Sequence, residues 1–221
     1  HYQDFVQAND TWWLGFNLQA GPDGSIYVID WYDKQECHGQ TPEGKETGRI
    51  YKITYGKSQQ KPVDLAKKSN AELVQLQLHA NDWMVRHARR LLAERAVAGK
   101  DLKDAHQALL KILNDNPKVP RKLRALWALH VSGGLNEKLL LELMSHEEEY
   151  LRAWAIQLAL EDQKASEAVV GKLTSMAKDD ESQVVRLYLA SALQRLPMSQ
   201  RCGIVENLIQ HAEDAKDHNL P

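Results

Sequence analysis

The chain has 221 residues, with 28 Lys and Arg against 30 Asp and Glu and a hydrophobic fraction of 43%. At this length folding buries about 70% of the surface that the unfolded chain exposes, so the composition fits one or two ordinary domains and excludes disorder and collagen-like structure. No run approaches the ~18 consecutive apolar residues that cross a bilayer, and His1-Tyr2-Gln3-Asp4 has neither a basic start nor an apolar signal core, so this segment is expected neither to insert in a membrane nor to direct export. The lack of an initiator Met suggests a piece of a longer protein.

Residues 1–60 are rich in aromatics and glycine, a pattern of short strands between tight turns. Phe16 to Ala20 reads as a strand entering the turn Gly21-Pro22-Asp23-Gly24, in which proline presets one φ and glycine relieves the next. Ser25 to Trp31 follows, with Ile26, Val28 and Asp30 on one face and Tyr27, Ile29 and Trp31 on the other. After a polar loop from Asp33 to Thr47, Gly48 to Tyr55 forms a third strand. Three antiparallel strands of this kind resemble one propeller blade, and a propeller needs about 4 to 8. Packing is the favoured role of Trp12, Trp13, Trp31 and Tyr32, and stacking on sugars is the alternative.

From residue 61 to 221 a helical period takes over. Ser69-Asn70-Ala71-Glu72 is a capping box. Helix pairs are expected at 71–79 with 83–97, 102–113 with 118–131, 137–145 with 147–160 and 167–177 with 183–196, followed by a lone helix at 200–213. Asp82, Asp101, Asn136, Ser166 and Ser199 are the expected N-caps, and Gly99, Gly133 and Pro197 the stops. An apolar residue followed by arginine recurs at Val85-Arg86, Leu123-Arg124, Leu151-Arg152 and Val185-Arg186, with spacings of 38, 28 and 34 residues. Helix pairs at such a period match HEAT-like repeats. Asp82 precedes Arg86 by four residues and Glu148 precedes Arg152 by four, a partial acid-to-arginine ladder broken by Pro120. These arginines are read as structural, pairing across repeats or capping neighbouring helices.

The alternative is a row that binds anions. Residues 86–124 hold eleven Lys and Arg against four Asp and Glu, and residues 137–181 hold five against eleven. The slightly acidic whole makes nucleic acid the weaker partner. Trp83, Trp127 and Trp154, set among aliphatic residues, are expected in the core.

Cys37 and Cys202 are too few for a disulfide framework, and no C-x-x-C pair offers a zinc site. Lys34 stands where a haem-attachment C-x-x-C-H ending at His38 would need its first cysteine. The cluster Asp33, Glu36, Cys37 and His38 has ligands for a hard cation and groups for proton transfer, although a solvated loop with incidental charges is the favoured reading of the residues alone.

Taken in order, Asp10-Thr11-Trp12-Trp13-Leu14-Gly15-Phe16-Asn17, the Gly-Pro-Asp-Gly turn, Ile29-Asp30-Trp31-Tyr32-Asp33, Glu36-Cys37-His38 and Thr47 to Ile53 resemble the closing blade of the membrane-bound dehydrogenase family with sugar dehydrogenase-like propellers. Asn81-Asp82-Trp83 with Arg86-His87-Ala88-Arg89-Arg90 is similar to the first HEAT repeat of those proteins, and Asp217-His218-Asn219-Leu220-Pro221 to the start of their next element. The resemblance implies a mainly α chain, a HEAT-like α-α solenoid (61–221) preceded by a small antiparallel β segment (1–60) that is a terminal blade.

It further implies a large exported bacterial redox protein, periplasmic or extracellular, with pyrroloquinoline quinone and c-type haem held outside this segment. The partners would be the rest of the propeller and the haem module of the same chain, with a sugar or polysaccharide as ligand. Asp33, Glu36 and His38 would then line a ligand or cation site, with Cys37 a packing residue. No catalytic residue is assigned to these 221 residues, and the segment alone is expected to oxidise no sugar and show no haem absorbance. A carbohydrate-binding module and a nucleic-acid-binding HEAT protein are the alternatives.

Overall fold

The structure, a computed structural model, describes residues 3–32, 47–56 and 63–219. The chain divides into two compact units, His1–Lys68 with His79–His87, and Ser69–Leu78 with Ala88–Pro221. Helices predominate, with one small sheet of three strands among the described residues.

In the first unit, β1 (Gly15–Ala20), β2 (Ile26–Asp30) and β3 (Arg49–Ile53) form an antiparallel sheet in the order β1-β2-β3. The hairpin closes through the Gly24 amide on the Gly21 carbonyl at 3.1 Å, with Gly24 at φ +81, a left-handed geometry that costs glycine little. Between Phe16 and Leu18 the register slips by a bulge at Asn17, whose φ of +58 an asparagine tolerates better than most residues. Gly15 lies under the Trp13 ring, where an added Cβ would fall 2.3 Å from ring carbon Cη2. Ile29 faces Phe16 on β1 and Ile50 on β3, so three apolar side chains share one face.

The first unit also holds the start of α2 (Asp82–Val97). The amide of Trp83 donates to Asn81 Oδ1 at 2.9 Å, so Asn81 caps this helix and the expected cap Asp82 is its first residue. Asn81 Nδ2 donates to the carbonyls of Gly21 and Pro22, at 2.9 and 3.2 Å.

The second unit holds α1 (Asn70–Gln75), the rest of α2, and then α3 (Lys103–Asp115), α4 (Val119–Val131), α5 (Glu137–Leu143), α6 (Glu149–Ala159), α7 (Glu167–Asp179), α8 (Gln183–Ala192) and α9 (Cys202–Leu208). The capping box at Ser69 and Glu72 is complete, and Asn136 and Ser166 cap α5 and α7. Gly99 and Gly133, at φ +69 and +76, follow the ends of α2 and α4. Ser199 falls within a 3-10 turn, Met198–Gln200, and α9 starts after it.

Helix α4 packs on α6 and α6 on α8, while α1 packs on α3 and α7 on α9. Fully buried alanines at 125, 128, 153 and 155 let the second members of the pairs approach closely. Leu126, Leu129, Leu151, Ile156 and Leu189 fill the space between them. Each of these helices shows an apolar stripe of 3.6-residue period.

Candidate functional site: a cation ladder and an aromatic row

Two arginines on consecutive second helices each grip a carboxylate and a backbone carbonyl six residues back. On α6, Arg152 donates from Nε and Nη2 to the two carboxylate oxygens of Asp180 at 2.7 and 2.8 Å, and from Nη1 to the carbonyls of His146 and Glu147 at 2.9 Å each. On α8, Arg186 donates from Nε and Nη2 to Asp214 at 2.6 and 2.5 Å, and from Nη1 to the Asp180 carbonyl at 2.8 Å. Both pairs span 28 residues. Each guanidinium therefore closes its own loop and grips the carboxylate that follows it along the row. The Arg186 guanidinium holds the Asp214 carboxyl below the ordinary carboxylate range against the opposing effect of burial. Arg152 and Arg186 are held above their ordinary value by hydrogen bonds to their carboxylates.

The register of this ladder differs from the one expected. Asp180 lies six residues before Arg186, not four, and accepts from the amide of Ser182 at 3.0 Å. The same turn recurs at His79 with Asn81, Asn116 with Lys118 and His146 with Glu148, each amide donating at 2.9 to 3.0 Å. Six residues after these four turns stand Val85, Lys122, Arg152 and Arg186. Lys122, and not Arg124, thus holds the place of Arg152 on α4, and its Nζ donates to the Asn114 carbonyl at 2.9 Å.

Glu148 is the N-cap of α6, its carbonyl accepting from the amides of Leu151 and Arg152. It is not the acid that Arg152 grips. Asp82 and Arg86 are both exposed at the start of α2, and Arg124 is partly exposed on α4. The dipeptide of apolar residue and arginine misaligned the first two repeats because helix starts, rather than charges, carry the register. Asp33, Glu36, Cys37 and His38 lie outside the described residues.

The same helices carry an aromatic row. Trp127 on α4 meets Trp154 on α6 edge to face at 4.9 Å between centroids, and Trp154 meets Tyr188 on α8 at 6.4 Å. The Arg89 guanidinium lies 5.3 Å from the Trp127 ring centroid. All three rings are partly exposed, so Trp127 and Trp154 cover the core rather than lie inside it. Trp83, in the first unit, is also partly exposed and stacks on His87 at 3.8 Å.

In the sheet, Asp30 is buried and accepts from the amides of Leu14 and Tyr32 and from Arg49 Nε, each at 3.0 Å. Arg49 also reaches Asp10 at 2.9 Å and lies 4.3 Å from the Tyr32 ring centroid. The hydrogen bond from Arg49 holds the Asp10 carboxyl below its ordinary value. Asp23, in the β1-β2 turn, pairs with Lys52 on β3 at 2.6 Å. These contacts hold strands together. Among the described residues no group of three or more His, Cys, Asp or Glu is placed to bind a metal ion, and no helix is long and apolar enough to cross a membrane.

A family described as a domain of unknown function, DUF7133, matches residues 1–57, the part that holds the sheet. A search of curated proteins gives no match to the chain.

Proposed function

We propose that this chain is the closing blade of a sugar dehydrogenase-like propeller followed by a HEAT-like α-α solenoid, serving as a scaffold within a large exported redox protein. In this reading the remaining blades and a c-type haem module of the same protein are its partners, and pyrroloquinoline quinone and haem belong to those parts. Electrons would flow from a sugar or alcohol to haem outside this segment, at a periplasmic or extracellular location.

The observation that carries the reading is that apolar side chains are left bare on both faces of the sheet. Leu18 is 68% exposed on one face, and Phe16 and Ile50 are 63% and 73% exposed on the other. Three strands with apolar side chains bare on both faces are not stable on their own account, whereas a blade between two neighbours covers both. The recurring helix pairs and the arginine ladder support the repeat reading, since stacked repeats satisfy one another through nearest-neighbour contacts. The family match over residues 1–57 supports treating the β region as a module.

Leu18→Glu and Ile50→Glu, made in the longer protein, test the blade. Covered faces predict a fall in melting temperature of many degrees for each change, against little change in the 221-residue chain. Tolerance of both charges in the longer protein would remove the blade reading. A carbohydrate-binding surface is the second reading, favoured by Trp31, which is 63% exposed. It requires that Trp31→Ala abolish retention on an insoluble polysaccharide, with little dependence on salt.

A further inference from the structure

At the start of α6 a histidine stands where Asp180 stands at the start of α8. His146 has the backbone surroundings of Asp180. Each accepts from the amide two residues on, Glu148 at 2.9 Å and Ser182 at 3.0 Å, and each lends its carbonyl to the arginine six residues on. On the preceding second helix, Lys122 holds the place that Arg152 holds for Asp180. A ring nitrogen that accepts an N–H must keep its lone pair, so Nδ1 of His146 is unprotonated and the imidazole is the neutral tautomer carrying its proton on Nε2. The charged groups that act on it are Lys122 from α4, Arg152 from α6, and Glu147 and Glu148 from the turn and cap beside it. Partial burial and Lys122 hold this imidazole below the ordinary histidine value, with the two glutamates opposing them.

We propose that His146 is an acid-sensitive latch at the start of α6, which opens when the imidazole takes a second proton while the carboxylate turn at Asp180 stays closed. Protonation at Nδ1 converts the acceptor of the Glu148 amide into a donor, and two donors cannot share the bond. It also places a cation near Lys122 and Arg152. Because the folded state binds this proton more weakly than the unfolded state, the stabilisation is present above about pH 6.5 and is lost as pH falls through the lower folded value. Asp180 makes the equivalent bond with a carboxylate oxygen, an acceptor that has no ring nitrogen to protonate.

Amide hydrogen exchange on the 221-residue chain, corrected for intrinsic rates, at pH 7.5 and 5.5 tests the latch. In the wild type the amides of residues 148–152 should lose up to about tenfold in protection, and those of residues 182–186 should change by less than about twofold, since each pH unit between the unfolded and the lower folded value weakens the bond by up to a factor of ten. His146→Asp and His146→Asn both keep an acceptor for the Glu148 amide and neither titrates in this range, so each should abolish the difference. The proposal is overturned by equal loss of protection at the two helix starts, by persistence of the effect in either variant that folds, or by a His146 titration at or above the ordinary histidine value in NMR. If neither variant folds, the titration and the wild-type exchange pattern decide.

Discussion

The two units keep their shape by different means. In the helical unit Leu126, Leu129, Leu151, Ile156 and Leu173 are fully closed off from solvent, and the charged ladder is laid over that core. In the sheet Val28 is the one apolar side chain of the three strands that is buried, and the strands are fastened by polar pins, Asp30 on Leu14, Tyr32 and Arg49, and Asp23 on Lys52. Apolar burial is the larger stabilising force, and polar pins set geometry while adding little. A unit of the first kind stands by itself, and one of the second kind leaves its faces for a neighbour.

The contrast can be broken most forcefully at Arg186. Arg186→Ala leaves the Asp214 carboxylate buried without its guanidinium and should cost about 3 to 5 kcal/mol in denaturant unfolding, while pairing Arg186→Met with Asp214→Leu should recover most of it. The same pair sets an acid limit. Asp214 titrates lower in the folded chain than in the unfolded one, so its contribution is present at neutral pH and should fade as pH drops below about 4, visible as a fall in melting temperature. Trp154→Ala, which strips a ring packed between Trp127 and Tyr188, should cost about 3 kcal/mol, and a loss below about 1 would mean that the ring serves a partner instead. Ser69→Ala removes one half of the capping box and should cost about 1 kcal/mol. At the small end, Leu18→Ser in the 221-residue chain should stay within about 0.5 kcal/mol, because that side chain is already in water.

Much of the helical unit was readable from residues close together in the chain. Ser69 with Glu72, Asn136, Ser166, Gly99 and Gly133 act within a few residues of themselves, so their chemistry is written where it is used. The ladder is not legible in this way because its bonds span 28 residues. Val85-Arg86 and Leu123-Arg124 imitate the motif in composition, while Lys122 and His146 occupy its geometry without its usual residues. Turn residues that accept from the amide two positions on, at His79, Asn116, His146 and Asp180, would have supplied the register, since the backbone requires that bond whatever the side chain. The sheet's strands were legible from alternation. The exposure of both faces was not, because alternation records which residues share a face and not whether anything covers it.

Asn81 shows how narrow the choice of side chain becomes when one group serves two masters. Its Oδ1 receives the Trp83 amide, while its Nδ2 donates to the carbonyls of Gly21 and Pro22. Serine, threonine and aspartate cap helices well, yet none of them carries a donor on the same short stem as the capping oxygen with the reach of a carboxamide. The position therefore has an alphabet of close to one letter. Spontaneous deamidation there would change the mass of the chain by a single unit and leave the helix cap intact, while turning two attractions to the β1-β2 turn into repulsions.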